Sequence, residues 1–241
     1  MKTPLLTVPL VAATVIACKR RIIFARADTG MLITVHTPGF TMAGVITSGL
    51  KIYASPYAEP KMCSHYLIAM ETEGLLIGAN PNLCNLIFEK IVASQKWINH
   101  VESYVREPSI GESRLDFLLH EPTPQYYQVK SCFFKYQGAL MFPVEKLTEL
   151  VKKLANWAKK QIVPVPLSPR CIKHAQLLEK QSGAIVFLAQ RNDLNNIKIN
   201  PLEALFKSTL NAKNINKYLV LTHWDLQGNL FLDSIHKLDS V

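Results

Sequence analysis

The sequence predicts an α+β protein, with a small β-barrel over residues 1–79 and an α/β domain over residues 80–241. Three observations carry this. Residues 22–78 read as short β-rich runs separated by glycine turns, with little helical periodicity, which is the pattern of a small closed sheet. Beyond residue 80, amphipathic helical stripes alternate with apolar runs, as in an α/β sheet. One of those runs, Ala184-Ile-Val-Phe-Leu-Ala189, is apolar without a break, as a strand buried on both faces must be.

The bulk properties limit the function classes. The chain has 241 residues, 49% hydrophobic, enough to bury a real core. Lys and Arg number 27 against 18 Asp and Glu, a formal charge of +9. Such a balance suits phosphate backbones or anionic membrane surfaces and does not choose between them. Five cysteines at 18, 63, 84, 132 and 171 form no C-x-x-C pair, which argues against a zinc site or a disulfide framework and fits a reducing cytoplasm.

In chain order, the apolar run from Leu5 to Ala17 before Cys18 resembles a signal segment. Pro4 and Pro9, a single Lys2 ahead of it, and Lys19-Arg20-Arg21 behind it count against that. Its β-branched Thr7, Val8, Val11, Thr14, Val15 and Ile16 favour a strand, and it is too short to span a bilayer. Strands follow at Ile22–Ala27, Met31–His36, Leu50–Ala54, His65–Met70 and Leu75–Gly78. An OB-type barrel built from them would hold nucleic acid across its face through basic and aromatic side chains, with Lys19, Arg20, Arg21, Arg26, Lys51 and Lys61 supplying charge. The bland alternative is an ordinary solvated surface.

Asn80-Pro81-Asn82 opens a helix from about Cys84 to Asn99, with Leu83, Leu86, Ile87, Ile91 and Val92 as its apolar stripe and Glu89 off it. Tyr104–Glu107 is a strand. Phe117-Leu118-Leu119 and Tyr126–Ser131 flank a polar break with Pro122 and Pro124, which is a hairpin signal. Val144 to Ile162 is an amphipathic helix studded with Lys152, Lys153, Lys159 and Lys160, and Pro164–Pro169 is a stiff linker. Ser168 and Pro169 open a helix to about Gln181 that presents Arg170, Lys173 and His174 at i, i+3, i+4, where they could face a shared anion. A helix from Pro201 to about Ala212 and strands at Tyr218–Thr222 and Leu230–Leu232 complete the chain.

The hairpin carries the chemistry. Strand side chains repeat with period two, so Gln128 and Lys130 project from one face, and Asp116 on the neighbouring strand can meet both. Asp116 could supply an anionic oxygen to Mg²⁺ and Gln128 a neutral amide oxygen, while Lys130 could orient water and stabilise phosphate charge. This is the arrangement of a PD-(D/E)xK nuclease-type core. On spacing alone, a hairpin with solvated polar positions explains the same residues. Arg114, two residues before Asp116, could pair with it or contact phosphate.

An ordered series of blocks changes the weighting. Gly111-Glu-Ser-Arg-Leu-Asp-Phe-Leu-Leu119, Tyr127-Gln-Val-Lys-Ser131, Phe142-Pro143, Arg170-Cys-Ile-Lys-His174 and Gln190-Arg-Asn-Asp193 occur in the order seen in one family. From about Lys19 to the C-terminal strands, the chain resembles the sugar fermentation stimulation protein family. That resemblance implies DNA binding, an N-terminal OB-like barrel and a C-terminal nuclease-like α/β domain. It implies Lys173 and His174 near the nuclease-type site, and it puts Glu89 where a helix acid can join the metal. An exposed helix glutamate is the plainer reading of Glu89.

Three departures stand out. The family's Asn-Thr-Gly-Ser-Met-x-Gly loop is here Pro38-Gly-Phe-Thr-Met-Ala-Gly44, and Met62 replaces a basic residue after Pro60-Lys61. Residues 144–169 look like an insertion that brings the basic helix 144–162. Gln128 stands where relatives mostly carry Glu, so one negative charge is missing from the metal site. Two functions follow: a sequence-nonspecific DNA-binding protein, regulatory in role, that keeps a nuclease-like metal site, or an active Mg²⁺-dependent DNA nuclease. Binding to a membrane surface through the basic helix is a distant third.

Overall fold

The structure, a computed structural model, describes residues 2–37, 46–60, 62–72, 74–132, 135–136, 139–142, 169–181, 183–191, 193, 199–201 and 215–238. Lys61, the 38–44 loop, the 144–162 helix and residues 202–212 of the expected last helix lie outside the described residues, and Pro201, expected to open that helix, ends a strand. The chain divides into two units, one with the small closed barrel expected and one with the α/β sheet expected.

The first unit holds Met1–Leu83 and His223–Phe231. Its strands are β1 (Leu6–Thr7), β2 (Val11–Lys19), β3 (Ile22–Ala27), β4 (Leu32–His36), β5 (Lys51–Pro56), β6 (His65–Thr72) and β7 (Leu75–Gly78). β4-β3-β2-β5-β6-β7 is the hydrogen-bonded order, and an extra parallel pairing of β4 with β6 closes five strands into a barrel. Alternation makes this core: Ala13, Val15, Ile23, Ala25, Ile33 and Val35 point inward and are buried, while their neighbours face out. The Leu5–Ala17 run is thus sheet, with β2 pairing β3 and β5. β1 pairs the start of a C-terminal strand, Leu6 opposite Leu230 and Thr7 opposite Asn229.

The second unit holds Cys84–Pro143, Pro164–Thr222 and Leu232–Val241. After helix α1 (Leu83–Ala93) come β8 (Ser103–Arg106), β9 (Ser109–Ile110), β10 (Ser113–Arg114), β11 (Phe117–His120) and β12 (Gln125–Cys132). Then follow β13 (Lys135–Tyr136), β14 (Ala139–Phe142), helix α2 (Pro169–Lys180), β15 (Ala184–Ala189), β16 (Ile199–Pro201), β17 (Asn216–Trp224) and β18 (Asn229–Lys237). The main sheet runs β18-β17-β15-β12-β11-β8. β12, β15 and β17 are parallel, and β15 is buried at every position, which is why its sequence has no polar alternation.

The two sides of β12 bury different clusters. Tyr127, wholly buried, packs with Phe88 of α1, Trp97 and Tyr218, ring centroids 5.8, 5.8 and 6.4 Å away. Its hydroxyl donates to Glu121 Oε1 at 2.8 Å, and Trp97 Nε1 donates to the same oxygen at 3.2 Å. Cys132 belongs to the cluster of Leu178 on α2, with Phe187 and Leu219, and Tyr126 packs against it. These contacts clamp β12 from both sides, so the polar side chains along it are held on a rigid strand. Among the described residues, no helix is long and apolar enough to cross a membrane.

Candidate metal centre

Asp116 sits at the bend that leads into β11. Its approach is set by the β9–β10 turn, where Gly111 takes φ 56°, a conformation that costs a side-chain-bearing residue free energy. The backbone N–H of Asp116 donates to the Tyr127 carbonyl at 3.2 Å, and β11 continues antiparallel to β12 with Phe117 opposite Tyr127. That register sets Asp116 across from Gln128. The pairing of the hairpin and the meeting of Asp116 with Gln128 are therefore present in the geometry, while the described contacts of Asp116 do not extend to the other expected partner, Lys130.

The carboxylate is gripped from three directions. Oδ2 accepts the Val129 backbone N–H at 2.8 Å and the Gln128 amide N–H. Oδ1 accepts the side-chain amide of Asn85, on the first turn of α1, at 3.1 Å. Gln128 is 4% exposed, and its Oε1 is buried without a hydrogen-bond partner among the described residues. A buried acceptor left unpaired carries a desolvation cost of roughly 1–3 kcal/mol. A hard cation that took the amide oxygen together with Asp116 would remove that cost, after the amide turned to present oxygen in place of nitrogen. The donor set is thus one carboxylate and one amide. Among the described residues, no three His, Cys, Asp or Glu side chains gather closely enough to hold a metal ion.

Cys84 lies beside this site, on the turn of α1 that carries Asn85. Gln190 donates to its sulfur at 3.7 Å. Burial, with a smaller push from Asp116, raises the Cys84 thiol to about 11, so it stays neutral and adds no charge next to the carboxylate.

The other expected residues fall in different places. Lys130 is half-buried on β12 and shares the period-two face of Gln128, Tyr126 and Cys132. His174 is buried on α2, one turn before buried Leu178, which turns it toward that face of β12, whereas Lys173 beside it is exposed. Glu89 lies one turn beyond Asn85 on the same flank of α1. It accepts the Tyr104 hydroxyl at 3.1 Å and the Arg106 guanidinium at 3.1 Å, so its described partners lie on β8. Arg114 pairs with Glu107 at 2.9 Å, both side chains being more than half exposed. Arg20, Arg21 and Arg26 are exposed on the barrel, Arg20 in the β2–β3 turn with φ 57°.

Asn85 is the residue that sequence reasoning passed over. It borders the apolar stripe of α1, four positions before Glu89, and a short polar side chain there looks like ordinary helix surface. Only the packing of α1 against the β11 bend brings it to Asp116.

Comparison with known proteins adds a frame. A sequence profile of the sugar fermentation stimulation protein RE domain matches residues 82–149, which contain α1, the β11–β12 hairpin and Asp116, Gln128 and Lys130. A sugar fermentation stimulation protein homolog from Sinorhizobium medicae is 32% identical over 147 residues, covering 57% of this chain and 61% of the relative. One from Maricaulis maris is 35% identical over 122 residues, covering 47% and 52%. In both matches the chain spans less than two thirds of the relative's length. A homolog from Thioalkalivibrio sulfidiphilus is 27% identical over 199 residues, covering 78% and 75%. Among solved structures, that of Pyrococcus furiosus SfsA in complex with Ca²⁺ superimposes with a TM-score of 0.73 over 97% of each chain, at 21% identity, a likeness of fold.

Proposed function

The chain belongs to the sugar fermentation stimulation protein family, and from that premise we propose that it binds DNA through the phosphate backbone without reading sequence and carries a nuclease-like divalent-cation site. The observation that carries this reading is the pair formed by Asp116 and Gln128, a half-buried carboxylate beside a buried amide oxygen that has no hydrogen-bond partner among the described residues. The solved relative that shares the fold was obtained with Ca²⁺, which supports a divalent cation, and we take Mg²⁺ as the physiological one.

Asp116 supplies the anionic oxygen and Gln128 the neutral one, and Asn85 keeps Asp116 oriented. A bound Mg²⁺ would polarise a phosphate oxygen. Lys130, on the same strand face, balances charge on that phosphate or holds a water against it. Glu89 joins the cation only by giving up Tyr104 and Arg106. Arg20, Arg21, Arg26, Lys61, Arg114 and Lys173 are the proposed DNA contacts, whereas His174, expected among them, is buried. Arg114 can exchange Glu107 for a phosphate at little cost, because an exposed ion pair is worth at most about 1 kcal/mol. In this reading residues 1–79 and 80–241 act as two domains. The described cysteines are free thiols, in keeping with a reducing cytoplasm.

A donor set of one carboxylate and one amide favours DNA binding over efficient cleavage, and the alternative is an active Mg²⁺-dependent nuclease. The test is to follow binding and cleavage of linear, nicked and single-stranded DNA by wild type and Lys130→Ala, with Mg²⁺, Mn²⁺ or EDTA. Binding that falls steeply with salt and no cutting is the expected result. Metal-dependent cutting that the variant loses while still binding DNA establishes the nuclease. No binding at low salt overturns both readings.

A further inference from the structure

The outer face of the barrel is the second place where the chain departs from an ordinary surface. β2 and β3 keep alternate side chains exposed and β4 exposes Leu32, whereas β5 and β6 are buried at most positions. The exposed row is apolar where a solvated strand would be polar. Phe24 is 42% exposed, Ile16 46% and Leu32 66%. They are neighbours by register: Phe24 pairs with Ala17, next to the bulge that throws Ile16 out, and Arg26 pairs with Leu32. Period two puts Arg26 on the same face as Phe24. At the end of the row, the β2–β3 turn presents Lys19, Arg20 and Arg21, all exposed.

Charge selects the occupant. The first 58 residues contain six basic side chains and one acid, Asp28. That acid is held by Lys51, whose Nζ lies 2.6 Å from Asp28 Oδ2. A second copy of the chain would bring the same positive field against this face and be repelled. A double helix would satisfy the arginines but keep its bases stacked inside, leaving Phe24, Ile16 and Leu32 uncovered. A single strand offers phosphates and bare bases together, the combination that an aromatic side chain flanked by arginines can hold.

We propose that this face binds single-stranded nucleic acid, with a base stacked on Phe24 between Ile16 and Leu32 and the adjoining phosphates held by Arg26 and the Lys19–Arg21 turn. This rests on the DNA-binding reading above and adds the form of strand and the residue that selects it.

The test uses the full chain in EDTA with a fluorescent oligothymidylate and a duplex of equal length, comparing wild type, Phe24→Ala, Phe24→Trp and Arg26→Ala. Wild type binds the single strand more tightly than the duplex. Phe24→Ala weakens single-strand binding about tenfold or more, with duplex binding little changed and the salt dependence intact. Phe24→Trp, which keeps a stacking surface, restores affinity and shows that the site itself is being read. Arg26→Ala lowers the slope of log affinity against log salt by about 1. Duplex binding with no single-strand preference, or equal losses on both ligands in Phe24→Ala, overturns the inference and leaves the DNA-binding function standing. No binding of either ligand by wild type overturns both. A wild-type dimer in sedimentation that Phe24→Ala dissolves makes the face a homotypic contact and also overturns it.

Discussion

Replacing Gln128 by Glu tests the proposed cation site while keeping the length of the side chain. In the wild type the Gln128 amide N–H donates to Asp116 Oδ2, with Gln128 buried and Asp116 half-buried. Glu at 128 turns that donor into a second carboxylate. Two such charges about 4 Å apart repel by about 4 kcal/mol at an effective dielectric near 20. Protonating one carboxyl instead, from an ordinary value near 4.3, costs about 3.7 kcal/mol at pH 7. The two routes agree, so the metal-free variant is destabilised by about 4 kcal/mol. At roughly 2–4 °C per kcal/mol for a chain of this size, melting falls by about 10 °C in EDTA. The penalty needs an ionised pair or an uphill protonation, so it shrinks as pH falls through the carboxylate range. A divalent cation offsets most of this penalty, because two carboxylates now face a charge that neutralises them. At a concentration 100 times its dissociation constant, it returns about 2.7 kcal/mol. The assay is thermal melting of both proteins in EDTA, Mg²⁺ and Ca²⁺. A Gln128→Glu protein that melts with wild type in EDTA, or that gains no more from the cation than wild type does, would show that Asp116 and Gln128 do not form a cation site.

Two further outcomes follow from local geometry. Gly228 takes φ 83° in the β17–β18 turn, and a Cβ there would run into the Val8 carbonyl oxygen, so Gly228→Ala costs roughly 2–4 kcal/mol in urea unfolding. In the same turn, burial pushes the Asp225 carboxyl up, but hydrogen bonds from the Asn229 side chain and from the Asn229 and Gln227 backbone N–H groups, with His223 nearby, bring it below the ordinary value. A depressed carboxyl stabilises the fold above its unfolded pKa and loses that contribution as pH falls through the folded one. Urea unfolding of wild type and Asp225→Ala should therefore differ by a constant amount from pH 5 to 7 and converge below the carboxylate range.

Many strands of both units were legible in the sequence because local rules govern them. Glycine turns and alternating burial marked the barrel strands, and the unbroken apolar run Ala184–Ala189 marked the central strand at its observed bounds. The first helix ends at Ala93, short of the expected Asn99, where Gln95 takes a left-handed φ of 53° and its side chain donates to the Val101 carbonyl. Period two was enough to place Gln128 and Lys130 on one face, and the hairpin pattern to bring Asp116 opposite Gln128.

What the sequence by itself determined was therefore every relation fixed by spacing along one strand or across one turn. What only the tertiary structure decided was every relation between elements distant in the chain. Asn85 meets Asp116 because α1 packs against the β11 bend, and no local period encodes that meeting. Glu89 and Arg114 had plausible partners within reach in sequence, yet a side chain takes the partner that packing brings nearest, which is β8 for one and Glu107 for the other. Ile16, Phe24 and Leu32 are apolar yet exposed, since hydrophobicity records only a preference for burial. Strand register and barrel closure decide which of those side chains are covered.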